Sequence, residues 1–269
     1  MSTSVAGVWG HRSTLRVLVQ RDLAVKYQQS VLGYLWSLIE PLSMGLIYWF
    51  VFGVLYSQRS TFEGASYPLF ILSGIFAWQW FSSALSESTT ALTAQARLIT
   101  TIKVPREIFP LGRVTGRFAE YLAGLPVLIG AAIIFHGHVT WRTAVAIPLA
   151  VLLQFVLLTG VALLLSGLNV MLPDVERFIR LAQRILLYAA PVIYPLERVT
   201  NTDKIPEWVK IVYQANPLVG IMQLQHSAWF PQEWPSTGLL LSCAAGCTLV
   251  LLLGWWTFHK LEPSVLKEL

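Results

Sequence analysis

The sequence predicts an all-α, polytopic membrane protein forming a single transmembrane domain over residues 1–269, and three observations carry that expectation. First, 55% of the residues are hydrophobic and only 12% are charged, with a mean hydropathy of +0.60, far from the averages of soluble domains. Second, six apolar runs come near the roughly 20 residues a helix needs to cross the hydrocarbon layer. They lie at Gly33–Tyr56, Leu69–Ser86, Gly116–Phe135, Ala144–Val170, Ile179–Tyr194 and Gly238–Phe258. Third, these runs are continuous, whereas the strands of a membrane barrel alternate apolar with polar residues.

The N-terminal segment 1–32 holds no apolar core of a signal peptide, because Arg12, Arg16, Arg21, Asp22 and Lys26 interrupt it. Within "LRVLVQRDLAVKYQQS", Leu15, Val19, Leu23 and Tyr27 recur every four residues. That spacing defines an apolar helical face, with Arg16, Gln20 and Arg21 to the other side. Asp22 and Lys26 fall inside the face, where they are expected to pair with each other. The segment reads as an amphipathic helix on the cytoplasmic membrane surface. A soluble helix packed on the bundle is the alternative.

In the first run, Tyr48, Phe52 and Tyr56 share one face. Glu40, next to Pro41, is a carboxylate two turns inside a span, costly unless it faces water or a partner. The connection 87–117 contains "IKVPREIFPLGR". There Pro105 suits a first helical position, Arg106 to Phe109 make about one turn, and Pro110 disfavours helix at Phe109. The expectation is a short, stiff knob with Glu107 exposed on it. In the outer region 195–237, Pro206 starts a helix through Ala215 and Asn216–Pro217 breaks it from a second. Pro217 to Phe230 would span about 21 Å as a helix, less than the roughly 30 Å core. A re-entrant or surface pair follows. Cys243 and Cys247, four apart in the last run, read as small packing residues. His136 and His138 read as solvated, and no metal site is expected.

Charge sets the orientation. Of the 19 lysines and arginines, 14 fall in the N-terminal segment, the 87–117 and 171–184 connections and the C-terminus. With six spans, the positive-inside rule then puts both termini in the cytoplasm. The net charge of +5 reflects this bias and implies no nucleic-acid partner. None of the six lysines follows a glycine, so the phosphate-cradling G-x-x-x-x-G-K-[ST] loop is absent. Nothing looks catalytic, and the chain carries no cofactor of its own. If it transports, another chain supplies the energy.

Five motifs, "QRDLAVKYQQSVLGYLWSLIEPL", "LFILSGIFAWQWF", "TTIKVPREIFPLGR", "APVIYP" and "NPLVGIMQ", occur in that order. Together they resemble the membrane subunit of bacterial polysaccharide ABC exporters, the family of O-antigen and teichoic-acid export permeases, from about Leu15 to Leu269. The likeness departs at Pro173, where an arginine is expected, and at Ala190, where serine is usual.

The resemblance implies a homodimeric permease of the bacterial inner membrane, bound to a cytoplasmic ABC ATPase that holds ATP and Mg. Its substrate would be a polysaccharide linked to a polyprenyl diphosphate lipid. The 13–30 segment would be the interface helix, with Arg16, Arg21 and Lys26 receiving the diphosphate. Lys103, Pro105, Arg106, Glu107, Ile108 and Phe109 would form the coupling helix. Pro206, Trp208, Asn216 and Pro217 would belong to outer gate helices, and the pathway is assigned to Tyr34, Trp36, Glu40, Tyr48, Phe52, Tyr56, Tyr188 and Tyr194. The alternatives are an exporter of a drug or lipid without polymer, and a membrane receptor or scaffold that transports nothing.

Overall fold

The structure, a computed structural model, describes residues 10–28, 30–55, 67–101, 104–137 and 139–268. Tyr56 and Lys103 lie outside the described residues, as does the side chain of Tyr27. Among the described residues every regular element is helical. Helix α1 covers Arg12–Tyr27, α2 Trp36–Tyr48, α3 Tyr67–Thr89, α4 Ala91–Ala94, α5 Ala96–Thr101 and α6 Ile108–Ile134. Then follow α7 Trp141–Met171, α8 Asp174–Tyr188, α9 Glu197–Thr200, α10 Glu207–Ala215, α11 Pro217–Ser227 and α12 Thr237–Glu268. A 3-10 turn at Gly33–Leu35 leads into α2, and a wider π-helical stretch at Trp49–Leu55 continues it.

Five of these helical stretches are long and apolar enough to cross a membrane: Gly33–Leu55, α3, α6, α7 and α12. The run at Ile179–Tyr194 takes another form. Helix α8 starts earlier, at Asp174, and stops at Tyr188. Its 15 residues reach about 22 Å, short of a full crossing. It is amphipathic, with Asp174, Glu176, Arg177, Arg180 and Arg184 along it, and the chain beyond it runs irregularly through Pro191 to Pro195.

Helix α3 is the hub, with most of its length buried, whereas the stretch from Gly33 to Leu55 is largely peripheral. Around α3 pack α2, α6, α7, α8 and α11. Helices α7 and α12 lie along each other, and a Cβ added at Gly254 would fall 1.9 Å from the Gly160 carbonyl oxygen. Only glycine permits that approach, which maximises dispersion contact where lipid offers no hydrophobic drive between helices. Cys243 and Cys247 are free and buried in the core.

Two local readings need correction. Pro110 does not end a knob; it is the third residue of α6. A proline in the first turn lacks only an N–H that would have had no helical partner. Glu107 is not exposed either, being 1% accessible at the head of α6. Helix α1 buries Leu18 in a cluster with Ile108, Phe109 and Phe258, and Leu15 and Val19 approach Gly112 and Gly116 of α6. Its apolar face is therefore spent at least partly on the bundle.

Candidate substrate path and coupling surface

At the α1 end of the bundle, charges gather in three dimensions. Arg117 of α6, with a side chain only 7% exposed, donates Nε–H to Glu87 of α3 at 2.8 Å and pairs with Glu120. Lys26 of α1 donates to Glu120 at 3.1 Å, and Arg113 reaches Asp22 at 3.2 Å. Arg21 meets Asp22 from its own helix at 2.9 Å. Asp22 and Lys26 thus pair with arginine and glutamate and not with each other, because α6 lies against the face that holds them. A buried guanidinium needs such partners to offset its desolvation.

Beside this network lies a cavity of about 460 Å³ lined by Arg21, Lys26, Glu87, Gln95, Arg113 and Arg117. The four cations Arg21, Lys26, Arg113 and Arg117 outnumber the three carboxylates Asp22, Glu87 and Glu120 by one. Of the three basic residues singled out in the sequence, Arg21 and Lys26 line the cavity, whereas Arg16 is exposed and does not. Arg113 and Arg117 were not assigned there, though their four-residue spacing, which puts both on one face of α6, was visible.

The segment before α6 is held from both sides. Pro105 and Arg106 are half-buried, Ile108 and Phe109 are buried in the cluster with Leu18 of α1, and Arg106 pairs with Glu262 of α12 at 2.5 Å.

The aromatic residues assigned to the path divide into two groups. Tyr34 and Trp36 are exposed at the start of the first span, and Tyr34 lines a cavity of about 340 Å³ with Leu23 and Glu120. Glu40 is exposed on the chain surface, whereas Pro41 beside it is buried. Tyr48 stacks on Phe52 with ring centroids 6.2 Å apart and lies against Tyr188 of α8, close enough for the phenols to interact. Tyr194 donates to the Tyr188 carbonyl oxygen at 2.6 Å and shares a hydrogen bond of 3.1 Å with the Tyr213 hydroxyl of α10. Tyr48, Tyr188, Tyr194 and Tyr213 therefore form a run of phenols joining α2, α8 and α10. Tyr213 was missed, since neighbours 19 or more residues away in sequence give no local signal.

Helices α10 and α11 meet at Asn216, whose Oδ1 accepts from the Leu218 N–H at 3.1 Å, with Pro217 at the first helical position. A Cβ added at Gly246 would strike the Pro217 ring at 2.6 Å. Gly246 is nine residues into α12, about 14 Å from its start. At the other end of α11, the Ala228 carbonyl accepts from Thr143 Oγ1 at 2.6 Å, near the start of α7. The pair enters the bundle and returns. Pro206 and Trp208 mark the entrance, where Trp208 is 68% exposed.

Every residue from Leu218 to Ser227 is buried, and the polar ones have partners. His226 stacks on Phe70 at 3.7 Å between centroids; its Nδ1 meets Ser73 Oγ at 3.0 Å and its Nε2 meets the Pro191 carbonyl at 3.0 Å. Tyr121 donates to Gln225 at 2.9 Å, and Gln223 donates to Glu233 at 2.8 Å. These side chains, absent from the sequence-based site, tie α11 to α3, α6 and the irregular 189–195 segment.

Residues 13–227 match the family model of the ABC-2 type transporter. The chain is 31% identical over 208 residues to the O-antigen export system permease protein RfbA of Klebsiella pneumoniae, covering 77% of this chain and 76% of that one. Against the protein of the same name in Myxococcus xanthus it is 25% identical over 98% of its own length and 96% of the relative's. It is 27% identical to the polysialic acid transport protein KpsM of Escherichia coli, over 95% and 96% of the two chains.

Proposed function

Since the chain belongs to the ABC-2 type transporter family, we propose that it is the transmembrane subunit of an ATP-driven exporter that moves a lipid-linked polysaccharide outward across the bacterial inner membrane. The observation that carries this reading is the end-to-end likeness to relatives named for O-antigen export and polysialic acid transport. Two copies pair and bind cytoplasmic ATPase subunits, which supply ATP and Mg. The proposed topology has six crossings. Helix α8 and the irregular segment after it make the additional one, as a broken helix whose backbone is satisfied within the protein. An even number keeps both termini in the cytoplasm, as the basic residues require.

The cationic cavity beside α1 is the proposed receiving site for the lipid diphosphate, with Arg21, Lys26 and Arg113 facing phosphate oxygens and Arg16 at its approach. The 103–109 segment engages the ATPase. The α10–α11 pair gates the outer mouth, and the phenol run beside it offers ring faces to passing sugars without gripping any one of them. Depletion of the protein, followed by assay for the lipid-linked glycan, tests the reading: the glycan is expected to accumulate on the cytoplasmic leaflet. Undiminished surface glycan would refute it. A charge reversal at Lys103 tests the coupling segment, and is expected to weaken retention of the ATPase in a pull-down.

A further inference from the structure

The last helix reaches back to the segment before α6 through two adjacent contacts. Glu107 is 1% exposed, and among the described residues neither of its carboxylate oxygens has a hydrogen-bond partner. The basic group facing it is His259 of α12, with Nε2 3.3 Å from Oε1. One residue earlier, Arg106 donates to Glu262 at 2.5 Å. His259 and Glu262 are three residues apart and so share one face of α12.

The protons on His259 decide what the first contact is. Its Nδ1 lies 2.9 Å from the Trp255 carbonyl oxygen, which can only accept, so Nδ1 carries the ring hydrogen of the neutral imidazole. Nε2 faces the buried Glu107 carboxylate, and the contact is attractive when Nε2 carries a proton as well. Among the described residues Arg106 and Glu262 form the neighbouring ion pair, whereas α1, α4 and α7 contribute the apolar Leu18, Leu92 and Leu163 to the cluster that holds the adjacent Ile108 and Phe258. Burial in that apolar setting makes the geometry strict, because an unmatched charge there is costly.

We propose that His259 and Glu262 are positioning residues, which hold the coupling segment in the orientation it presents to the ATPase by clamping Glu107 and Arg106. The inference rests on the coupling role given above to residues 103–109. It makes α12 the element common to both ends of the molecule, since α12 also packs against α10 and α11. A shift of the coupling segment then pulls on the helix that seats the outer pair.

The test reconstitutes the permease with its ATPase in lipid nanodiscs and follows permease-stimulated ATP hydrolysis, together with the unfolding midpoint of the permease alone. Arg106→Glu, Glu262→Arg and His259→Gln are each expected to lower stimulation about threefold or more, a coupling of the size seen for residues in contact. His259→Lys, which presents a cation to Glu107, is expected to retain stimulation, and the Arg106→Glu/Glu262→Arg exchange to restore it. A purely structural role would move the midpoint and leave stimulation per folded permease unchanged, which would overturn the proposal. So would an exchange that fails to rescue. Should the single reversals not assemble, His259→Lys against His259→Gln decides the matter. Lys103→Glu separates the two readings: if it lowers stimulation while the clamp variants do not, only the clamp is refuted, and if none of them has an effect, the coupling reading fails and the clamp with it.

Discussion

Glu233 sits in the short connection before α12, buried, with Gln223 donating to its carboxylate. Burial pushes its carboxyl above the usual carboxylate range, the Gln223 hydrogen bond opposes that, and the neighbouring Glu197 adds to it. A carboxyl raised in this way binds its proton more tightly folded than unfolded. Stability then falls as pH rises from the unfolded value, about 4.3, through the higher folded one. Glu233→Gln keeps the shape and removes the charge, so its unfolding midpoint is expected to exceed that of the parent at pH 7.5 and to converge with it near pH 4. A midpoint difference independent of pH would refute the assignment. His226 is the other buried residue with a defined task. His226→Phe preserves the stack on Phe70 but leaves the Pro191 carbonyl unpaired, at a cost of about 1–3 kcal/mol, and His226→Gln is expected to recover part of that loss in the same melting measurement.

Among the elements, the contact of α7 with α12 tolerates no side chain at Gly254. Gly254→Val is expected to cost about 1–3 kcal/mol by overpacking, whereas Gly238→Ala, with open space around it, is expected to leave the midpoint unchanged. The long helices were legible because an apolar run of membrane length has few other uses. The run at Ile179–Tyr194 was less legible for a physical reason: Phe178, Leu181, Ile185 and Tyr188 are exposed on the chain surface, while Arg177, Arg180 and Arg184 interleave with them, so composition alone hid the amphipathic period and the break after Tyr188. The start of α6 was hidden by Pro110, whose disruptive effect vanishes in a first turn. The corner at Asn216–Pro217 was readable, since a cap and a proline signal themselves locally. Burial of Gln225 and His226 was not, for their partners lie on α6, α3 and the segment around Pro191, remote in sequence.

For the whole molecule, the phenol run matters because it joins α2, α8 and α10, which on the proposed path would part for a polymer to pass. Tyr48 and Phe52 are half-buried and stacked on one another, whereas Tyr188 is 59% exposed, so the cluster keeps an open aromatic surface. Two roles compete for it. Packing needs only bulk, which leucine supplies. Contact with sugars needs flat ring faces, each such aromatic contact being worth about 0.5–1.5 kcal/mol beyond its area. Replacing Tyr48, Phe52 and Tyr188 together by leucine therefore separates the roles. Assembly with the ATPase is expected to survive, because the apolar bulk is retained and Arg106, Glu107 and their partners are untouched. Export of the polymer is expected to fall roughly threefold to tenfold, the loss of one such contact, when surface glycan is compared at equal permease abundance. Replacing the same tyrosines by phenylalanine, which keeps the faces and removes the hydroxyls, is expected to spare export. Normal export by the leucine variant would reduce the cluster to packing, and a loss in the phenylalanine variant as severe as in the leucine variant would assign the effect to the hydroxyls instead of the rings.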